Sequence, residues 1–176
     1  VAPWGCNFCL SIVCGNSVVW KQYTKTMEVY YLSKKSWDET AETEDQCKLL
    51  EIVDGDVNEA KWMAQDKRIN LLSATGSCEM GKALAPLVSE RMGKGLYELG
   101  GNNAMVVSEH ANLDLAVRAI VFSAVGTCGQ RCTTLRRLIV HRSKYDELLE
   151  RLKKSYASLP IGNPIKRENL VGPLIN

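Results

Sequence analysis

The residues most able to do chemistry lie in one short stretch, residues 126–134, which holds two glycines, three threonines and two cysteines. Cysteine attacks an electrophilic carbon as its thiolate, and an unperturbed thiol with a pKa of about 8.5 is only a few per cent ionised at neutral pH. The neighbouring Arg131 and backbone N–H groups would favour the ionised form of Cys132. The stretch predicts a turn that displays a nucleophile. Alternatively, Cys128 and Cys132 are small buried residues, because free cysteine is often buried.

A carboxylate, Glu98, stands near the end of a predicted strand, residues 95–101, just before the pair Gly100 and Gly101. A carboxylate at a strand end is usually an ordinary surface charge. It is also a candidate general base that could activate water. The glycine pair predicts a hinge at which the chain passes from one domain to the next.

A third candidate site is the segment of residues 75–81, which joins a predicted strand to a predicted helix. Ser77 fits the N-cap of that helix, and Gly76 allows close approach by a ligand. The N-terminus of a helix presents N–H groups and a positive dipole end, which suit an anion such as a phosphate. A glycine and a serine before a helix are nevertheless common, and an ordinary helix start is the alternative.

The elements that must position these residues alternate between strands and helices. Such an order predicts an α/β fold with a parallel, doubly wound sheet, whose strand ends bind a dinucleotide. The predicted strands are residues 17–21, 49–55, 69–73, 95–101, 104–108 and 136–141. The predicted helices are a short one after a loop within residues 1–14, a frayed surface helix within 26–47, and residues 57–67, 77–92, 113–125 and 145–157.

Composition excludes several classes of protein. The 176 residues carry a net charge of +2, which gives no signal for a nucleic acid or acidic partner. The sequence has no apolar run long enough to suggest a membrane span. Seven cysteines without a secretory leader favour reduced thiols in a cytosol-like compartment. Cys6, Cys9 and Cys14 suggest a metal or redox site, but packing of small side chains on a helix is the preferred interpretation, and no metal is predicted.

Glu98-Leu-Gly-Gly followed by Gly129-Gln-Arg-Cys-Thr-Thr resembles the aldehyde dehydrogenase superfamily. The runs Gly101-Asn-Asn-Ala-Met and Gln130-Arg-Cys-Thr-Thr are most similar to its antiquitin-like branch, whose members oxidise α-aminoadipic semialdehyde in lysine breakdown. The resemblance implies the aldehyde dehydrogenase fold. Residues 1–100 would be the C-terminal part of an NAD-binding domain, and residues 101–176 the first part of an α/β catalytic domain.

The resemblance also implies roles for individual residues. Cys132 would be the nucleophile and Glu98 the general base, while Arg131 and Thr133 would bind the substrate. Arg131 could hold a substrate carboxylate or only tune the thiol of Cys132. NAD would be the cofactor, and the residues expected to bind it are Lys21 at the ribose, Gly55 and Ala60 in a glycine-bearing turn, Gly76 and Ser77 at the pyrophosphate, and Leu99 and Gly100 beside the nicotinamide.

Several expectations concern the protein as a whole. The chain begins at Val1 and ends at Asn176 within apolar sequence, which suggests an internal piece of a longer protein. That protein is expected to be a homotetramer with a small aldehyde as substrate, in the cytoplasm or in mitochondria. The alternative is a truncated or degenerate copy without catalysis, which at most binds nucleotide or joins oligomers. The irregular segment of residues 22–46 favours this second hypothesis.

Overall fold

A computed structural model describes residues 2–176 of the chain. The polypeptide divides into two compact units, Val1–Leu99 and Gly100–Asn176. The division lies one residue from the boundary expected from the sequence. That the first unit binds a dinucleotide and the second performs catalysis stays a prediction at this stage. Within the described residues, no helix is both long enough and apolar enough to cross a membrane.

Helices and strands alternate along both units, as the sequence pattern predicts. The helices are α1 (Ala2–Val13), α2 (Met27–Thr40), α3 (Glu44–Cys47), α4 (Val57–Gln65), α5 (Cys78–Glu90), α6 (Leu113–Val125) and α7 (Arg142–Ala157). The strands are β1 (Val18–Lys21), β2 (Leu50–Val53), β3 (Leu71–Gly76), β4 (Lys94–Leu99), β5 (Asn103–Val107) and β6 (Leu135–Val140).

The six strands form three pairs, β1–β2, β3–β4 and β5–β6, and every pair is parallel. Parallel pairing confirms the predicted α/β class, because each pair needs a crossover that a helix supplies. Among the described residues the pairs are separate, and β2 does not hydrogen-bond to β3. The parallel sheet expected from the sequence is therefore divided, among the described residues, into three separate parallel pairs.

The core of the β3–β4 region comes from alternation on the strands. Leu72 and Ala74 are buried, while the residues between them are exposed, so one face of the pair is covered. Helices α4 and α5 supply the covering side chains, including Ala64 and Val88. Burying such aliphatic groups stabilises the fold by roughly 1.5–3 kcal/mol for each large side chain.

An aromatic cluster packs α1 and α2 against β1. Trp4 stacks on Trp20 with ring centroids 4.9 Å apart, and Trp20 meets the fully buried Tyr30 edge-on at the same distance. Phe8 packs edge-on against Trp37. These large rings explain why α1 begins at Ala2, where the sequence had suggested a loop. Helical spacing brings residues four apart to one face, and that face is the aromatic one.

The predicted packing of the α1 cysteines is wrong. Cys6, Cys9 and Cys14 are all exposed, because Trp4 and Phe8 occupy the side of α1 that faces the rest of the unit. The predicted helix within residues 26–47 is present but interrupted after Thr40. Thr43 starts a separate turn with a capping box, in which its side chain accepts from the N–H of Gln46.

In the second unit, β5 and β6 pack against α6 and α7. The buried residues of this core are Val107, Leu113, Ile120 and Leu148. Helix α6 begins where the side chain of Asn112 accepts from the N–H groups of Asp114 and Leu115. The chain then runs from α6 through residues 126–134 into β6, so a packed helix and a paired strand fix both ends of the cysteine-containing stretch.

Candidate active site

The cysteine loop, residues 126–134, begins with a tight reversal of the backbone. Thr127, Cys128 and Gly129 have φ values of 56°, 54° and 72°, all in the left-handed region. Only Gly129 adopts that region without cost. Residues with a β-carbon held there store on the order of 1 kcal/mol each, so the surrounding structure must impose the conformation.

A second turn closes around Cys132. The N–H of Arg131 donates to Oγ1 of Thr134 at 3.1 Å, and the N–H of Thr134 donates to the carbonyl of Arg131 at 3.1 Å. Thr134 is buried, whereas Cys132 between these anchors is exposed. The alternative that Cys132 is a buried packing residue is therefore wrong. The turn displays its thiol to solvent, as a nucleophile requires.

Cys128, by contrast, is half-buried, and its thiol donates to the carbonyl of Gly172 at 3.0 Å. The N–H of Ile175 donates to Oε1 of Gln130 at 2.9 Å. The segment around residues 172–175 is thus attached to the first half of the cysteine loop. Cys128 is thus held by a backbone hydrogen bond and is not the fully buried packing residue of the alternative.

Asn103 at the start of β5 holds the second half of the loop. Its Nδ2 donates to the carbonyl of Cys132 at 2.6 Å and to the carbonyl of Thr134 at 3.0 Å. Since the loop residues are 29 and 31 positions away, no local pattern in the sequence indicated these bonds. Asn103 belongs to the motif Gly101-Asn-Asn-Ala-Met, but the sequence did not indicate that its side chain bonds to the cysteine loop.

Arg131 turns back towards α6. Its guanidinium carbon lies 5.4 Å from the ring centroid of Phe122, and Nη2 donates to the Phe122 carbonyl at 3.3 Å. A cation suits this position because the last carbonyls of a helix carry negative partial charge. Thr133 is exposed. Substrate binding by Arg131 and Thr133 stays a prediction, and so does the influence of Arg131 on the thiol.

The two arginines of β6 bond to the backbone that follows the glycine hinge. Arg136 donates to the carbonyl of Gly101 at 3.2 Å, and Arg137 donates to the carbonyl of Asn102 at 2.8 Å. Both bonds tie the segment after the glycine hinge to the strand that leaves the cysteine loop. Arginine is well suited to this task because its planar fork offers several donors.

In the first unit, Lys21 and Gly55 come together at one edge. The register pairs Lys21 with Val53, so both residues lie at the carboxyl ends of parallel strands. The Lys21 ammonium donates to the carbonyl of Gln22 at 2.8 Å. Gly55 has φ +147°, and a β-carbon there would collide with the side chain of Glu59. The structure therefore requires glycine at residue 55 for its own turn.

Asp56 caps α4 beside that glycine. Its carboxylate accepts from the N–H of Asn58 at 2.9 Å, and Glu59 accepts from the N–H of Asp56 at 2.7 Å. The N–H of Asn58 is the main reason that the pKa of the Asp56 carboxyl is lowered, with the Glu59 side chain and the positive charge of Lys21 contributing less. Residues of this turn and of the 24–27 segment line a shallow cleft at the strand ends.

The prediction that Ala60 shares this turn is wrong. Ala60 lies within α4, and its methyl group packs against the buried cluster that includes Ala64 and Leu72. The turn ends earlier because the capping box of Asp56 and Glu59 starts the helix at Val57. Binding of a cofactor by Gly55 and by Ala60 stays a prediction.

The serine turn, residues 75–81, has the predicted cap. Oγ of Ser77 accepts from the N–H of Met80 at 3.1 Å and starts α5. A β-carbon on Gly76 would approach the sulfur of Met80 to 2.9 Å, so a larger residue would crowd the entrance of the helix. Gly76 and Ser77 are exposed. An exposed N-terminus of a 13-residue helix at a strand end fits the phosphates of a dinucleotide.

Register also places the candidate base beside this turn. Thr75 pairs with Glu98, and Gly76 pairs with Leu99, so both candidate segments reach the same carboxyl edge. The Glu98 side chain is exposed, on the opposite face of β4 from Leu99. Leu99 packs on α5, where a β-carbon at Gly81 would lie 2.6 Å from it. Glu98, Leu99 and the exposed Gly100 keep their expected roles as predictions.

The described residues contain no group of three or more His, Cys, Asp or Glu side chains that could hold a metal ion. The dinucleotide is the cofactor for which the first unit offers binding features. These are a lysine and a glycine turn at one parallel pair, and a capped helix start at the other. Open α/β sheets bind dinucleotides at such carboxyl ends.

Residues 2–176 match the model of the aldehyde dehydrogenase family. The chain belongs to the aldehyde dehydrogenase family. It is 48% identical over 181 residues to an aldehyde dehydrogenase family 7 member A1 homologue of Caenorhabditis elegans, with 99% of this chain and 34% of that protein covered. It is 42% identical over 175 residues to the α-aminoadipic semialdehyde dehydrogenase of Bos taurus, with 99% of this chain and 32% of that protein covered.

Among solved structures, lactaldehyde dehydrogenase from Escherichia coli superposes with a TM-score of 0.84 at 30% identity. The superposition covers 92% of this chain and 34% of the other. The aldehyde dehydrogenase fold is therefore confirmed for this chain. The chain spans about a third of the length of the curated relatives it matches.

Proposed function

We propose that the protein containing this chain oxidises an aldehyde to a carboxylic acid with NAD, and that its substrate is α-aminoadipic semialdehyde. The observation that carries the proposal is the exposed Cys132 in a hydrogen-bonded turn that the buried Thr134 closes. Membership of the aldehyde dehydrogenase family and the similarity to α-aminoadipic semialdehyde dehydrogenases support the choice of reaction and substrate.

Cys132 begins the reaction. Its thiolate forms a C–S bond to the aldehyde carbon, and the carbonyl oxygen becomes an oxyanion. Backbone N–H groups of the cysteine loop stabilise that charge. A rigid turn suits this task, because donors that already point at the developing charge need no reorganisation as it forms.

NAD, when bound, accepts the hydride that the thiohemiacetal carbon loses. Lys21 would hold its ribose, Gly55 would leave room beside it, and the N-terminus of α5 at Gly76 and Ser77 would receive the pyrophosphate. Leu99 and Gly100 would lie next to the nicotinamide.

Glu98 completes the reaction as general base. It removes a proton from a water molecule, whose oxygen attacks the thioester carbon. The C–S bond breaks, the carboxylic acid leaves, and Cys132 is restored as the thiolate. Arg131 would bind the carboxylate of the semialdehyde, and Thr133 would line the same pocket.

The full-length protein is first identified in its source by a peptide spanning Glu98 to Cys132, and its intact mass is measured. The test is then an aldehyde assay on this protein. We expect NADH formation with α-aminoadipic semialdehyde, and slower turnover with NADP or with plain aliphatic aldehydes. Cys132→Ala should abolish turnover. Glu98→Gln should accumulate the thioester, visible as added mass on the Cys132 peptide, because only the hydrolysis needs the base.

A full-length protein without aldehyde turnover, or a Cys132→Ala variant that retains it, would contradict the proposal. The homotetramer and a reducing compartment, cytosolic or mitochondrial, belong to the same proposal. The seven free cysteines of the chain support the reducing compartment. Sedimentation of the full-length protein checks the tetramer.

A further inference from the structure

Asn103 is the residue through which β5 reaches the nucleophile itself. One side-chain nitrogen donates to two carbonyls, at 2.6 Å to that of Cys132 and at 3.0 Å to that of Thr134. Both acceptors are backbone carbonyls, which can only accept, so the amide must present its nitrogen to them. Asn103 thus fixes the peptide group that follows Cys132 and the one that follows Thr134.

The backbone just before Asn103 is itself held in place. Arg137 donates to the carbonyl of Asn102 and Arg136 to that of Gly101, the two residues that precede Asn103. A register shift between Asn103 and Ala104 sets Asn103 apart from the regular part of the strand pair. An irregularity of this kind re-aims a side chain, here towards the loop instead of along the sheet.

The bonds made by Asn103 complement the turn that Thr134 closes. Thr134 joins residues 131 and 134 to each other, but these bonds do not connect the turn to β5. Asn103 is the described side chain that ties this turn to β5. With the ends of the loop held by α6 and β6, this amide fixes the backbone of Cys132 itself against β5.

We propose that Asn103 is a positioning residue for Cys132, and that its amide holds the nucleophile in the geometry from which it attacks the aldehyde. The inference rests on the proposed function, since it assigns Cys132 as the nucleophile. Asn103 contacts neither substrate nor the reacting sulfur in this arrangement and acts through the backbone. A displacement of about 1 Å at a reacting group can reduce a rate by roughly 100-fold.

The adjacent Asn102 provides a matched control. Asn102 is exposed, and of its atoms only the backbone carbonyl enters the described hydrogen bonds of this segment. Asn103→Asp keeps the shape of the side chain but replaces the donor by an acceptor, and Asn103→Leu removes both polar atoms. Asn102→Asp and Asn102→Leu make the same chemical changes one residue away.

The experiment measures all four variants in the full-length enzyme with α-aminoadipic semialdehyde and NAD. The folded fraction of each variant is measured by circular dichroism and gel filtration, which do not depend on the reactivity of Cys132. We expect kcat per folded site to fall about 10- to 100-fold in both Asn103 variants. KM for NAD should change less than about threefold, and the Asn102 variants should stay within about twofold of the parent.

Hydrogen exchange gives a second readout that does not depend on activity. Amides of residues 131–134 should exchange at least about tenfold faster in the Asn103 variants than in the Asn102 variants, because the turn has lost its anchor. If exchange in the two pairs is the same, the proposal is overturned. It is also overturned if kcat per folded site is unchanged while only the melting temperature falls.

The two proposals can fail separately. If the unmodified full-length enzyme oxidises no aldehyde, the proposed function fails, and the exchange contrast alone then decides whether Asn103 positions the loop. If the enzyme is active and the Asn103 variants match the Asn102 variants, the positioning role fails while the proposed function stands.

Discussion

The cysteine loop and the serine turn are both short connections next to a regular element, yet contacts of very different range fix them. The serine turn is closed by Ser77 and Met80, three positions apart. The cysteine loop relies on Asn103, Gly172 and Ile175, which lie 29 to 45 positions from their partners. One connection is built by its own residues, whereas the other adds contacts from distant parts of the second unit to its local bonds.

The difference follows from what each connection has to do. A helix start offers N–H groups to any anion in front of it, and a single cap is enough to define them. A nucleophile has to meet one carbon along one direction, and a flexible loop cannot ensure that by itself. We therefore expect substitutions in the cysteine loop to propagate further than substitutions in the serine turn.

The largest effect should come from Thr134→Val, which keeps the shape of the side chain but removes its hydroxyl. The N–H of Arg131 would lose its acceptor within a buried turn, at a cost of about 1–3 kcal/mol in the free energy of local opening. Hydrogen exchange of residues 131–134 measures this opening. The exposed Thr133→Val is the control for stability. Equal exchange in the Thr134→Val and Thr133→Val variants would contradict the statement that the Thr134 hydroxyl closes the turn.

A smaller and strictly local effect is expected from Ser77→Ala. The N–H of Met80 would lose its cap, at a cost of about 1 kcal/mol to α5. Faster hydrogen exchange should be confined to the first turn of the helix, and Ser77→Thr should restore most of the protection. If faster exchange also spreads to β3 and β4, the serine turn depends on distant contacts as well. The contrast between the serine turn and the cysteine loop would then fail.

The smallest effect concerns the other local cap, at Asp56. The pKa of its carboxyl is lowered, chiefly because the N–H of Asn58 donates to the charged form. The stabilisation is therefore fully present above the unfolded pKa of about 3.9 and is lost as the pH falls below that value. Asp56→Asn keeps an acceptor that does not titrate. Protection against exchange at the start of α4, corrected for the intrinsic pH dependence of exchange, should fall at acid pH more in the parent than in this variant.

Much of this arrangement could be predicted from local patterns. The order of helices and strands, the parallel pairing and the cap at Ser77 followed from spacing and residue type. The errors had different causes. Ala60 was expected in a turn but belongs to α4, because the capping box of Asp56 and Glu59 starts the helix at Val57. Cys6 was expected to pack but is exposed, because Trp4 and Phe8 occupy the packed side of α1.

The sequence by itself determined the family, the α/β class and the identity of the candidate nucleophile and base, because motifs and strand–helix alternation are properties of neighbouring residues. Only the tertiary structure decided how Cys132 is held. The partners of its loop are separated from it by whole elements, and hydrogen bonds between them form only after those elements have packed. The bonds from Asn103 to the Cys132 and Thr134 carbonyls are the clearest example, since nothing in the spacing of these residues indicates contact.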